Sequence, residues 1–187
     1  MDQWAGVVLA AGLGVRMRSR LPKVLHRVCG KEMIRYPVEL LRQLGIERIV
    51  VVVSTAGAPA VQGLLEGDVE YVTQPSVLGT GDALGRAAQS LRGRASHLLV
   101  LGADSPLVRA DTAKGLMASH LDGSGDMTLL TGEAPSVGEY GRIIRDETGR
   151  VVDVVEPVKG VETSGSPGEI NGGVYCFAAS WLWENLE

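Results

Sequence analysis

Three short, unbroken apolar runs decide most of what this chain can fold into. Residues 5–10 (AGVVLA), 49–53 (IVVVV) and 98–101 (LLVL) are each bounded by turn residues. Strands buried on both faces of a parallel sheet read this way, because helices cover both sides and no face is left for polar residues. Parallel strands need long crossovers, and the stretches between the runs supply them. Ile34, Val38 and Leu41 recur at helical spacing and Gly45 stops the pattern, while 58–65 and 80–91 predict a second and a third helix. The expected fold is α/β, an open, mostly parallel sheet with helices on both faces. A further helix is predicted over 111–120. After it the texture changes: 127–131, 142–145, 151–156 and 172–177 read as strands between turns, some of them antiparallel. Residues 159–168 (KGVETSGSPG) read as a loop, and 178–186 begin an amphipathic helix. At 187 residues the expectation is one domain, 1–187, whose second half adds sheet and loops.

Charge narrows the function. The chain carries 18 basic and 22 acidic residues, yet Arg16, Arg18, Arg20, Lys23, Arg27 and Lys31 fall in one window without an acidic residue. An acidic protein with one concentrated basic segment suggests a focused site for a compact anion, with a solvated basic loop as the plain alternative. A nucleic-acid partner would ask for a basic face over the whole domain, so none is expected. No apolar run approaches a membrane span, and no membrane partner is expected either. Cys29 and Cys176 form no CxxC and no ladder of spacings. They read as reduced, ordinary cysteines, which points to the cytoplasm.

The first apolar run leads into Ala11-Gly12-Leu13-Gly14-Val15-Arg16-Met17. In open α/β sheets ligands bind at the carboxyl ends of the strands, which is where this loop falls. Gly12 and Gly14 let backbone N–H groups approach phosphate oxygens, and Arg16 offers a bidentate cation. A dinucleotide site is not expected: Met17 stands at the third glycine of the Rossmann fingerprint, and Ser54 and Thr55 replace the acid after the second strand. Gly30-Lys31-Glu32 is no Walker A motif. Pro22 stiffens the chain just before Lys23, so a fixed lysine lies a short loop away from Arg16. Read by residue type alone, Asp104 serves a turn cap as well as a metal ligand, and Gln74 a solvated loop as well as a base contact.

Residues 9–17 (LAAGLGVRM) followed by Pro22-Lys23-Val24-Leu25-His26 resemble the signature of the sugar-1-phosphate nucleotidylyltransferases. Within them the chain looks most like the uridylyltransferase domain of the bifunctional N-acetylglucosamine-1-phosphate uridylyltransferase/glucosamine-1-phosphate acetyltransferase. Further matching segments follow in order: Gln74 with 78–81 (LGTG), 103–107 (ADSPL), 139–143 (EYGRI), Val155-Glu156, and 169–171 (EIN). The resemblance implies a Rossmann-like nucleotidyltransferase fold and transfer of a uridylyl group from UTP to N-acetylglucosamine 1-phosphate. Such an enzyme makes UDP-N-acetylglucosamine, a peptidoglycan precursor for the cell envelope. It implies roles as well. Backbone from Leu9, Ala10, Ala11 and Gly12 would hold uracil and ribose. Gln74 would present an amide donor and acceptor to the base, with Gly79 and Thr80 beside it. Gly102, Ala103 and Asp104 would follow the third buried strand, Asp104 holding Mg²⁺. Gly141, Glu156 and Asn171 would contact the acceptor sugar. Arg16 and Lys23 would be catalytic, stabilising charge in an in-line displacement that needs positioning and no protein nucleophile.

The chain departs from the family pattern at several places. Val15 stands for a usual Thr, Asp82 for a His, Ala103 for a Gly, and Gly172 for a Thr or Ser. Asp82 adds negative charge near a phosphate-handling site, so it is expected to point away or to mark a different substrate. The family fold continues to an Asn that is the second protein ligand of Mg²⁺, and then to a β-helix domain. Neither falls within these residues. The expectation is a domain truncated at its C-terminal end, slower than an extended version. Its Trp181–Leu186 segment would lack cover, and self-association into a homo-oligomer would follow.

Overall fold

The computed structural model describes residues 3–12, 14, 17–19, 21–65, 67–138, 140–156 and 167–186. The chain divides into two compact units, Met1–Thr128 with Val174–Glu187, and Leu129–Gly173.

The first unit is built on β1 (Trp4–Ala10), β4 (Ile49–Ser54) and β6 (His97–Gly102), the three apolar runs of the sequence. β1 lies between the other two and parallel to both, with Val8 opposite Val51 on one side and Leu101 on the other. Central parallel strands need apolar side chains on both faces, and Val7, Val8, Val50, Val51, Val100 and Leu101 are all fully buried. A fourth parallel strand, β5 (Val69–Gln74), extends the sheet beyond β4. The apolar-run criterion passed over it. Among the described residues β5 pairs only with β4, so this edge strand tolerates the exposed Glu70 and Thr73, one on each face, and the run is broken.

Helices α1 (Arg35–Gln43), α3 (Thr80–Leu91) and α4 (Ala110–Asp122) lie close to the predicted spans. The second predicted helix is shorter than its composition suggested. α2 covers only Ala58–Val61, because Gln62 is extended and Gly63 takes a positive φ. Residues 26–34 hold a small hairpin of β2 (Arg27–Val28) and β3 (Lys31–Glu32).

Two strands pass between the units, β7 (Met127–Ala134) and β10 (Gly168–Ala178). In the first unit the end of β10 runs antiparallel to β6, with Cys176 opposite Leu99. Helix α5 (Ala179–Asn185) follows. Contrary to the sequence expectation, this helix has cover. Leu182 and Trp183 are buried in a core shared with Leu84, Leu91 and Phe177, and Trp181 and Leu186 pack partly against it. The basis for expecting self-association through a bare Trp181–Leu186 face is therefore gone.

The second unit is antiparallel. β8 (Arg142–Arg145) and β9 (Val151–Val155) form a hairpin, and Ile170 of β10 sits opposite Arg142. The Asp146 carboxylate closes the turn by accepting from the Thr148 and Arg150 N–H groups at 2.9 and 3.0 Å. Most of the loop expected over 159–168 lies outside the described residues. Gly168 itself begins β10.

Candidate nucleotide site

The four parallel strands end at one edge of the sheet, and the register fixes what stands there. Leu9 pairs with Val52 and Gly102, Ala10 with Val53, and Ser54 with Gln74. Every sequence-expected residue of the nucleotide half that is described lies at or just past this edge. The Ala103 N–H donates to the Leu9 carbonyl at 2.9 Å, tying the turn after β6 to the end of β1. Ala11 and Ala103 are buried, Gly12 is open, and Thr80 begins α3.

Lys23 and Asp104, 81 residues apart in sequence, meet here. The Lys23 ammonium donates to the Asp104 carboxylate, and both side chains remain reachable by solvent, 29% and 43% exposed. Local geometry delivers Lys23. Pro22 sets an extended entry, and a 3₁₀ turn over Lys23–Leu25 follows, with the Leu25 N–H donating to the Pro22 carbonyl. Gly14 has φ +59°, and a Cβ there would stand 2.6 Å from Cβ of Lys23. Only glycine offers both that backbone conformation and that proximity without strain. On the other side the Asp104 carboxylate folds back over Gly102, with Oδ1 at 2.6 Å from where a Cβ would sit. Arg16, with Leu13 and Val15, lies outside the described residues. Arg18 is exposed.

Gln74 is 1% exposed, and its amide is already engaged. Nε2 donates to the Gly79 carbonyl at 3.1 Å and to Oδ2 of Asp82 at 2.7 Å. The expectation of a donor and an acceptor both facing the base is corrected: both N–H groups are spent inside the protein, and the carbonyl end remains. The expectation that Asp82 points away is corrected too. Asp82 turns to Gln74, and its other oxygen accepts from Arg86 at 2.8 Å. The Gln74 amide first, then the Arg86 guanidinium, hold the Asp82 carboxyl below the usual carboxylate range, so it is ionised at neutral pH. The sequence carried a partial signal in the i, i+4 spacing of Asp82 and Arg86. It carried none for the bond to Gln74. Gly79 makes the turn into α3 at φ +115° and ψ −178°, a conformation open essentially to glycine alone.

The residues expected at the acceptor sugar fall in the second unit. A Cβ on Gly141 would stand 2.8 Å from Oε1 of Glu156, so the two are neighbours. Asn171 donates its N–H to the Gly141 carbonyl at 2.8 Å and accepts from the Gly173 N–H at 2.9 Å. Glu169 is bound at both oxygens by Arg145, at 2.7 and 2.6 Å, and this pairing leads the interactions that lower its carboxyl to about 2. Glu139 lies outside the described residues.

Glycine turns, a solvent-reachable lysine–aspartate pair and a buried amide thus stand together at the carboxyl edge of a parallel sheet. The chain matches the MobA-like NTP transferase domain over residues 6–145 and belongs to that family. It is similar to two proteins named bifunctional protein GlmU. The one from Pelotomaculum thermopropionicum is 44% identical over 98% of this chain, and the one from Lactobacillus johnsonii is 41% identical over 97%. The chain spans 40% and 39% of those relatives' lengths. Among solved structures it resembles HddC from Yersinia pseudotuberculosis complexed with GMP-PN, at TM-score 0.72 and 26% identity, covering 98% of this chain and 80% of that one. No helix among the described residues is long and apolar enough to cross a membrane.

Proposed function

We propose that this protein transfers the uridylyl group of UTP to N-acetylglucosamine 1-phosphate, in the cytoplasm. A phosphate oxygen of the sugar phosphate attacks the α-phosphorus, the bond from that phosphorus to the bridging oxygen breaks, and pyrophosphate leaves. The products are UDP-N-acetylglucosamine and pyrophosphate. The observation that carries the reading is the convergence of Lys23, Asp104 and Gln74 on the edge where the four parallel strands end. An open α/β sheet takes its ligand there.

Backbone at Leu9–Gly12 and the Gln74–Thr80 segment would take base and ribose, small residues allowing close approach. Lys23, with Arg16 from the loop before it, would neutralise phosphate charge that grows as the leaving group departs. In the free protein Lys23 is paired with Asp104, so phosphate must draw the ammonium away and leave that carboxylate free. Asp104 is a hard oxygen ligand of the kind Mg²⁺ takes, commonly one or two carboxylates with substrate phosphates and water completing the shell. Bound there, Mg²⁺ would supply charge neutralisation on phosphate oxygens. Gly141, Glu156 and Asn171 would contact the acceptor sugar, with Gly102 and Ala103 lining the approach to Asp104.

The test is formation of UDP-N-acetylglucosamine and pyrophosphate from UTP and N-acetylglucosamine 1-phosphate with Mg²⁺, followed by phosphorus NMR. Binding of the UDP-sugar without turnover would reduce the protein to a nucleotide-sugar binding module. Turnover with a different sugar phosphate would keep the class and replace the acceptor.

A further inference from the structure

We infer that Asp82 is a positioning residue for base selectivity, fixing which end of the Gln74 amide faces the nucleotide. The inference rests on the uridylyl-transfer reading of this site. A glutamine amide has a donor end and an acceptor end of nearly the same shape, so by itself it suits opposite base edges. Here its neighbours remove the choice. The Gly79 carbonyl and the Asp82 carboxylate are acceptors only, and both contact Nε2. Turning the amide over would set Oε1 against two acceptors in a site that is 1% exposed, where a lost hydrogen bond is not replaced by water. Asp82 is itself anchored, its second oxygen held by Arg86 one helical turn later.

Oε1 is therefore a dedicated acceptor. Beside it α3 begins at Thr80, and the first N–H groups of a helix have no partner within it. The Ala83 N–H is the first to turn back, to the Gly79 carbonyl at 3.2 Å. An acceptor with backbone donors in the same segment suits a base edge that carries a ring N–H next to a carbonyl. Uracil and guanine have that edge. Cytosine and adenine present a ring acceptor next to an amino group, the opposite pattern. The Asp82 device thus rejects the amino bases, and ring size must separate uracil from guanine.

The experiment compares kcat/KM for UTP and CTP in the wild-type protein, Asp82→Ala, Asp82→Asn and Gln74→Ala, with folding checked by circular dichroism and thermal melting. In Asp82→Ala one of the two acceptors that fix the amide is gone and only the Gly79 carbonyl still opposes its turning, so the preference for UTP over CTP should fall by about tenfold, mainly through KM. Asp82→Asn keeps the shape but can offer either end to Gln74, so it should lose part of the preference and carries the test should Asp82→Ala not fold. Adding Asp82→Ala to Gln74→Ala should cost no further selectivity, since the residue it positions is gone. A UTP/CTP ratio within about twofold of wild type in the folded variants overturns the inference and leaves the uridylyl reading intact. A wild-type protein that does not prefer UTP overturns the uridylyl reading itself, before any variant is made.

Discussion

The two edges of the parallel sheet use polar groups in opposite ways. At the carboxyl edge Lys23 and Asp104 are paired but open to solvent, and glycines at 14 and 79 hold positive φ. At the amino edge, where β1 and β6 begin, His120 is buried. Its Nε2 lies 3.2 Å from Nδ1 of His97, and its Nδ1 lies 3.0 Å from the Thr128 hydroxyl. Trp4 packs on both imidazoles, with ring centroids 5.1 and 5.8 Å away. The same strands thus end in exchangeable contacts on one side and a closed aromatic knot on the other. The difference teaches where to look for function. A concavity of about 970 Å³ lies at the amino edge, lined by Trp4, Ile46 and Arg48 among others. Its size would have pointed away from the residues that can handle phosphate.

Breaking the carboxyl edge should give the largest effect. Lys23→Ala is expected to lower kcat/KM by about 2–4 kcal/mol of transition-state stabilisation, the range for one charge-stabilising donor, with little change in melting temperature. Arg16→Ala should behave alike, whereas Arg18→Ala should do little. Equal, small losses for all three would make the basic window a diffuse attractor and erase the contrast between the edges.

The amino edge should respond with stability in place of rate. His120→Ala removes a buried ring and strands the Thr128 hydroxyl, so urea unfolding should show a loss of about 1–3 kcal/mol with kcat/KM of the folded fraction unchanged. A rate loss matching that of Lys23→Ala would show that the two edges are coupled.

A smaller effect follows from pH. Burial first, then the neighbouring His97, lowers the His120 pKa against the opposing pull of Asp126. A buried histidine held neutral contributes stability that is complete above its unfolded value of 6.5, and that stability is lost as pH falls toward the depressed folded value. Glu32 and Glu169, both lowered to about 2, titrate well below this window. The urea midpoint should therefore drop between pH 7 and about pH 5.5 in the wild type and drop less in His120→Phe. Parallel curves would remove the imidazole from the account.

The smallest effect belongs to the second unit. Glu169→Gln breaks the exposed pairing with Arg145 and should cost under about 1 kcal/mol, as exposed ion pairs do. A larger loss in thermal unfolding would mean that this pair organises the β8–β10 region.

The pattern of side chains along the chain was enough to place β1, β4 and β6, to bound α3 at Thr80–Leu91, and to set a basic loop after the first strand. Burial on both faces leaves a local mark that needs no knowledge of the partner. β5 left no such mark, because an edge strand keeps charged and polar residues where a central one cannot. The pairings that shape the site were decided by tertiary structure alone. Lys23 finds Asp104 across 81 residues, and Gln74 finds Asp82 across a turn that Gly79 makes possible. Neither contact has a periodicity, since each joins the ends of separate elements that only the sheet register brings together.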